Sequence, residues 1–579
     1  MSQFLLWAPN AKTVDLELSG TRIPMVAGAR GYWRVDAPTA KAGDDYAFFL
    51  DGQGPLPDPR SPYQPLGVHG RSRLVDHAAF RWSDRRWQPP PLSSAVIYEL
   101  HVGTFTPEGT FDSAIARLDH LTELGVTHAE LMPVVEFPGQ RGWGYDGVDL
   151  YAPHHAYGGP DGLKRLVDAC HARGLAVLLD VVYNHLGPDG NYLGRFGPYF
   201  SRSHSITWGE AINFDGPGSE QVRRFFIDNA LMWLRDYHID GLRLDAVHAI
   251  FDISATHFLE QLASEVEVLS AKLGRHLALI AESDLNDPRV VRPRENGGYG
   301  INAQWSDDFH HALHAAFTGE REGYYQDFGL LAHIAKALKG AFVYDGCYSE
   351  HRGRFHGRPA TGLSGHRFVG FFQNHDQVGN RAQGDRASAL LTPGRLKAAA
   401  ALVMTGPFIP LIFQGEEWGA SSPFLFFTDH SEPTLAAAVR EGRCREFETF
   451  GWQAEEVPDP QAEDTFLRSQ LDWKEAHSGW HAELLAWWKD LIRLRRCASE
   501  LTDGRMDRIE AAFDEDAKWL RVTRGSITVT INLGSRPARV ALGYTDQPTL
   551  LLASDRSIAP GNGEIELPPD SVAIVSRPA

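Results

Sequence analysis

From residue 95 to about 500, short apolar runs alternate with stretches whose apolar positions recur every three or four residues. The runs are AVIYEL (95–100), GVTHAELMPV (125–134), LAVLLDVV (175–182), DGLRLDAV (240–247), LALIAES (277–283), INAQWSD (301–307), RFVGFFQNHD (367–376) and FIPLIFQGEE (408–417). Between the first two lies FDSAIARLDHLTELG, with Ile115, Leu118, Leu121 and Leu124 on one helical face and Gly125 as a stop signal. Eight strands alternating with helices predict an α/β protein built on a (β/α)8 TIM barrel. An open doubly wound sheet is the competing architecture, but no GxGxxG follows the first run to support its dinucleotide-binding form.

The flanks read differently. Val14, Leu16 and Leu18 alternate with Asp15 and Glu17, the period of a half-buried strand, and the prolines at 89–91 punctuate the chain. The tail WLRVTRGSITVTINLG returns to period two at Ile527, Val529 and Ile531. The expected division is an N-terminal β domain over 1–90, the barrel over 91–500 and a C-terminal β-sandwich domain over 501–579. Segments 184–239, after the third strand, and 418–480, after the eighth, exceed what a helix needs, so both should send long loops to the active face.

A chain of 579 residues can bury roughly three quarters of its surface without disulfide or metal staples. Lys plus Arg number 56 and Asp plus Glu 74, a net charge of −18, which excludes a nucleic-acid groove or an anionic membrane as the main partner. The 15 Trp and 17 Tyr suit sugar rings but serve core packing equally well. The four Cys are dispersed without a CxxC pair, and Cys170 shares an apolar helical face with Leu163, Leu166 and Val167, so it should be a buried thiol. MSQFLLWAPN has no basic n-region or long apolar stretch, and AAAALVMTGPFIPLIF is broken by Gly406, Pro407 and Pro410. The expectation is a soluble cytoplasmic protein.

Barrel enzymes carry their chemistry at the C-terminal strand ends. In DGLRLDAV the alternation puts Leu242 and Leu244 on one side of the strand and Arg243 and Asp245 on the other. An arginine there favours ionised Asp245, the state a nucleophile needs. Glu282 follows an apolar run, where desolvation raises a carboxyl toward general-acid use. Asp376 ends the seventh run beside Asn374 and His375, and Asp180, Asn184 and His185 end the third. Each alone is compatible with a structural ion pair or a loop hydrogen bond. Together, carboxylates on strands four, five and seven converge over one mouth, as glycoside hydrolysis requires.

DVVYNH (180–185), GLRLDAVH (241–248), AES (281–283) and QNHD (373–376), in this order, resemble the four motif regions of the α-amylase family of glycoside hydrolases. The resemblance implies a retaining enzyme acting on α-glucans. It makes Asp245 the nucleophile, Glu282 the general acid/base and Asp376 the transition-state stabiliser. Arg243 would orient the nucleophile, His185 and His375 would bind the sugar in the cleaved subsite, and in WGYD Tyr145 would stack on it with Asp146 in support. WAPNA (7–11) looks like the immunoglobulin-like domain that precedes the barrel in branching and debranching members. Five finer stretches are most similar to the maltooligosyltrehalose trehalohydrolase family: GRFGPYFSRSHSITWGEAINFDG (194–216), IAESDLNDPR (280–289), QNHDQVGNRA (373–382), IFQGEEWGASSPFLFFTDH (412–430) and GLRLDAVHAI (241–250). That similarity implies release of trehalose and a maltooligosaccharide, in trehalose biosynthesis, with a maltooligosyltrehalose synthase as pathway partner.

His248 stands where α-amylases often carry Lys, a departure that fits a leaving group ending in trehalose. Trp208, Gln377 and Glu417 are further candidates for that side. Many α-amylases bind calcium through the Asn equivalent to Asn184, but there is no EF-hand loop or HExxH, and His154–His155 and His310–His311 lack a ligand frame, so no metal or cofactor is expected. The rival readings are a glycogen branching enzyme with the same domain order and a non-catalytic glucan-binding protein.

Overall fold

The computed structural model describes residues 2–448, 456–545 and 547–577. Each of the eight apolar runs contains one strand of a single parallel sheet: β1 (Ile97–Leu100), β2 (His128–Leu131), β3 (Ala176–Val181), β4 (Gly241–Leu244), β5 (Ala278–Ala281), β6 (Ala303–Trp305), β7 (Phe368–Gly370) and β8 (Ile409–Phe413). They pair in chain order, and β8 closes on β1. Ile97, Leu178, Ile280, Ala303, Val369 and Leu411 pack with Trp305 and Phe371 in one buried cluster inside the barrel. Leu242 and Leu244 instead join the larger core outside it. Period two therefore aims Glu99, Glu130, Asp180, Arg243, Asp245 and Glu282, which share parity with their strands' inner residues, into the interior or its mouth.

Helices cover the outside. In Gly159–Ala172, Pro160 sits in the first turn, and Leu163, Leu166, Val167 and Cys170 are buried. Burial pushes the Cys170 thiol far up, as expected for an inert core group. The helix predicted between β1 and β2 is two pieces, Phe111–Ile115 and Leu118–Leu124. Thr110 and Ser113 cap the first reciprocally, and Gly125 ends the second at φ +100°, a left-handed position that favours glycine.

The N-terminal part consists of two antiparallel sheets. Strand Ser2–Trp7 pairs with Tyr32–Ala37 in one, and Val14–Leu18 pairs with Asp45–Leu50 in the other. Phe4 meets Tyr46 edge-on across them with ring centroids 5.1 Å apart. The alternation of the second strand is not clean: Glu17 is buried because Arg71 pairs with it at 2.7 Å. Segment 77–91 packs firmly against the barrel floor. Trp82 stacks on His238, Trp87 stacks on His171, and the Trp87 indole donates to Asp240.

The C-terminal part is a five-stranded antiparallel sheet with a two-stranded sheet against it. Its strand Ile527–Asn532 is buried throughout. Ile527, Val529 and Ile531 join the main core, while Val540, Ile565 and Leu567 fill the other side. The strand read from that alternation is thus a central one, buried on both faces.

Among the described residues, long excursions rise from the C-terminal ends of β2, β3 and β8, and a further hairpin follows the two helices after β6. The one after β3 carries the hairpin Phe200–Ile206/Gly209–Ile212, and the one after β8 carries helix Pro433–Glu448, with residues 449–455 of that segment outside the described residues. Two more were not anticipated: Val135–Glu136/Asp149–Pro153 after β2, and the hairpin Asp345–Ser349/Arg354–Gly357 after β6.

Candidate active site

Arg243 is fully buried and organises the mouth. One arm, Nη1, donates to Asp180 Oδ2 at 2.7 Å and to Asp245 Oδ1 at 2.8 Å. The other, Nη2, stands 2.8 Å from Glu282 Oε2. The guanidinium face lies 4.2 Å from the Trp305 ring centroid, so β6 supplies the surface on which the fork rests. A planar five-donor group is the side chain that can hold carboxylates of three neighbouring strands at fixed angles.

The two carboxyls on this fork are driven apart chemically. Burial pushes Asp245 up, but Arg243, His185 and the Asn184 amide outweigh it and hold the carboxyl below its ordinary value. Asn184 Nδ2 donates to Asp245 Oδ2 at 2.7 Å and to its carbonyl at 2.9 Å. For Glu282 burial wins over Arg243, and Asp245, Asp376 and Asp307 add repulsion, so this carboxyl is raised well above its ordinary value. The backbone N–H of Ala246 donates to Glu282 Oε2 at 2.9 Å. One group is poised as an anion and its neighbour as an acid.

Asp376 sits in the first turn of the helix His375–Gly379, which Asn374 caps by accepting the Gln377 N–H. Asn380 donates to Asp376 Oδ1 at 3.2 Å, and about a third of the Asp376 side chain is open to solvent. His375 is buried below it, and Glu99 accepts from both its ring Nδ1 and its backbone N–H. Burial disfavours the imidazolium, but Asp376 and Glu99 override this and lift the ring to about 9. Tyr145 lies flat on His375, with centroids 5.1 Å apart, and its hydroxyl donates to Asp180 Oδ2 at 2.6 Å. Burial, eased by Arg243, leaves Asp180 at about 6.

Most residues read from the sequence reach this mouth. His185 is buried beside Asn184, and Trp208, at the tip of the hairpin after β3, stacks on it at 5.6 Å with 52% of its surface exposed. The same indole meets His248 edge-on at 6.4 Å, and His248 Nδ1 lies 4.0 Å from Asp284. Asp146 lies 3.7 Å from His430 of the excursion after β8. Gln377 is half-buried one residue beyond Asp376.

Glu417 does not belong there. It is fully buried, accepting from the Tyr98 hydroxyl at 3.0 Å and from His120 at 2.8 Å, so it ties β8 to β1 and the first connecting helix. The His154–His155 pair also differs from the reading above: Glu136 joins it, with candidate ligand atoms within 4.8 Å of one another. Both Glu136 oxygens accept from His155, and His154 Nδ1 accepts the Ala156 N–H, so these contacts brace a turn, while His154 Nε2 lies 3.9 Å from Glu136 with no hydrogen-bond partner among the described residues.

Asp307, at the start of the helix after β6, was missed. Burial, together with Asp376, Asp284 and Asp308, raises its carboxyl to about 7. It ends the run INAQWSD, so the rule that singled out Glu282 and Asp376 applies to it as well. Asp284 and Arg352, paired at 3.0 Å, form the adjoining wall. Arg352 belongs to the hairpin after β6, which carried no motif.

The chain matches the model of the alpha amylase catalytic domain over residues 77–198 and that of a domain of unknown function (DUF3459) over 504–574. The malto-oligosyltrehalose trehalohydrolase of Rhizobium sp. (strain M-11) is 51% identical, with 99% of this chain and 97% of the relative covered. The chain belongs to the malto-oligosyltrehalose trehalohydrolase family. A second trehalohydrolase, from Mycobacterium tuberculosis (strain H37Rv), is 49% identical over 99% of each chain. The solved structure of a putative alpha amylase from Salmonella typhimurium superposes with a TM-score of 0.91 at 40% identity, covering 99% of this chain and 97% of that one. This trehalohydrolase-family chain is a glycosidase of the α-amylase family, and the mouth just described is its candidate active site. Among the described residues no helix is long and apolar enough to cross a membrane.

Proposed function

We propose that this chain hydrolyses the α-1,4-glucosidic bond next to the terminal trehalose of maltooligosyltrehalose with retention of configuration. The observation that carries the reading is the shared guanidinium: Nη1 donates to Asp245 at 2.8 Å, Nη2 stands 2.8 Å from Glu282, and the surroundings push the two carboxyls in opposite directions, Asp245 down and Glu282 up. So tight a bridge suits the spacing of about 5–5.5 Å used by retaining pairs, rather than the wider gap that admits an extra water. Glu282 protonates the glycosidic oxygen as Asp245 attacks the anomeric carbon. The C–O bond breaks, trehalose leaves, and the maltooligosaccharide stays esterified to Asp245. Water then gives a proton to Glu282 and attacks the same carbon, restoring both carboxyls. Asp376, partly open at the rim, takes up sugar hydroxyls as the ring distorts.

Tyr145, half-buried and stacked on His375, packs on the sugar being cleaved, and His185 lines the same subsite. Trp208 and His248 form the leaving-group side, where an exposed indole suits a trehalose face. The names of the relatives support trehalose as the product. A cytoplasmic setting, a division near residues 90 and 500, and supply of substrate by a maltooligosyltrehalose-forming enzyme complete the reading. Proton NMR of a fresh digest tests the mechanism. The first maltooligosaccharide signal should be the α-anomer, and a β-anomer appearing first would contradict retention.

A further inference from the structure

Beneath the mouth, the barrel holds a carboxyl that the mechanism above does not use. Glu130 points inward from β2 and is 1% exposed. Its register partner on β1 is Glu99, and its partner on β3 is Leu178, with Asp180 the next inward residue. Neither oxygen of Glu130 has a hydrogen-bond partner among the described residues, and the same holds for Asp180 Oδ1 and Arg243 Nε. The charged groups facing it are Glu99, Asp180, Arg243 and His375.

The charges of this interior decide its state. Glu99 is matched by His375, and Arg243 already serves Asp180, Asp245 and Glu282. An ionised Glu130 would be an unmatched anion beside two others, in a barrel closed to solvent, which burial strongly disfavours. A protonated carboxyl avoids that cost but needs an acceptor for its O–H. Asp180 Oδ1 is an acceptor without a donor, one inward position further along the neighbouring strand.

We propose that Glu130 is a positioning residue for the reaction, carrying its own proton and donating it, directly or through one water, toward Oδ1 of Asp180. Oδ2 of that carboxylate is shared by the Tyr145 hydroxyl and Arg243 Nη1. A donor on Oδ1 fixes the plane of Asp180 and keeps it ionised. Arg243 and Tyr145 are thereby held against a rigid base, and the fork stays aligned on Asp245 and Glu282. Glu130 acts through these groups and does not touch the substrate. The inference rests on the reading of Asp245 and Glu282 given above.

The test pairs infrared spectroscopy with kinetics on the full chain. The wild-type-minus-Glu130→Gln difference spectrum at pH 7 should contain a protonated-carboxyl C=O band that shifts in D2O. Glu130→Leu should lower kcat about ten- to a hundredfold, the scale of one hydrogen bond to a charged group, with KM little changed. It should also move the acid limb of the pH–rate profile upward. Glu130→Gln, which keeps a neutral donor, should return kcat to within about threefold of wild type. A carboxylate band in place of the C=O band overturns the proposal, as does folded Glu130→Leu with wild-type kcat and pH profile. If Glu130→Leu does not fold, the infrared difference decides alone. Failure of the catalytic reading is distinguishable: Asp245→Ala would then retain activity while the Glu130 band persisted.

Discussion

Replacing Arg243 by Lys keeps the charge and removes the fork. The wild-type side chain makes three contacts of 2.7–2.8 Å, to Asp180, Asp245 and Glu282. An ammonium is a single point of donation on a flexible stem, and it cannot span carboxyls on three strands. Losing two charge-assisted bonds of about 1.5–3 kcal/mol each removes about 3–6 kcal/mol of interaction. If about half is felt in the transition state, kcat/KM falls by about one to two orders of magnitude. The direction of the pH effect follows from the same contacts. Arg243 is the leading influence holding Asp245 down against burial, so weakening it raises that carboxyl. The acid limb of kcat/KM, which reports the free enzyme, then moves to higher pH. The assay is trehalose release from maltooligosyltrehalose across pH 4–8, on protein whose circular dichroism matches wild type. A folded Arg243→Lys enzyme with kcat/KM within about threefold of wild type and an unmoved acid limb would refute the reasoning.

Trp208→Ala removes an exposed ring stacked on His185, so KM should rise about three- to tenfold at an unchanged melting temperature, the scale of one aromatic contact. An unchanged KM would take Trp208 out of the substrate site. Glu417→Gln leaves the buried Tyr98 and His120 poorly matched and should cost about 1–3 kcal/mol of stability in urea titration without changing KM. Beneath the barrel, burial disfavours charged His171, but Asp240 at 2.9 Å and Asp84 at 2.8 Å outweigh it and raise its pKa. A raised histidine contributes stability in full below about pH 6.5 and loses it as pH climbs through the folded value. The stability gap between wild type and His171→Gln should therefore shrink from pH 6 to pH 9, and a gap that widens with pH would contradict a charged His171.

The barrel was legible because its strands are buried on both faces and its helices on one, which gives two distinct periods in one stretch of chain. The candidate carboxyls were legible because a charge at the end of an apolar run is costly unless it is paired or used, and Asp245 and Glu282 do meet on Arg243. The same rule covered Asp307, which ends the sixth run, yet without a motif around it the residue reads as a helix-start Asp. Glu417 failed for the opposite reason. It sits beside strand-end polar groups in sequence, but the turn after β8 carries it to the outside of the barrel, toward Tyr98 and His120. The hairpin after β6 was invisible because Arg352 acquires its role only by meeting Asp284, 68 residues away. The prolines at 89–91 read as punctuation of the chain, whereas Trp82 and Trp87 just before them stack on His238 and His171. Long-range pairing of this kind leaves no local period to read.

The central claim is that this mouth cleaves beside a terminal trehalose and passes the glucan to water. Chromatography of a maltooligosyltrehalose digest tests it most directly. Free trehalose and the shortened maltooligosaccharide should appear in equal amounts from the first minutes. Newly branched α-1,6 products without trehalose, or no turnover by the folded protein, would contradict it.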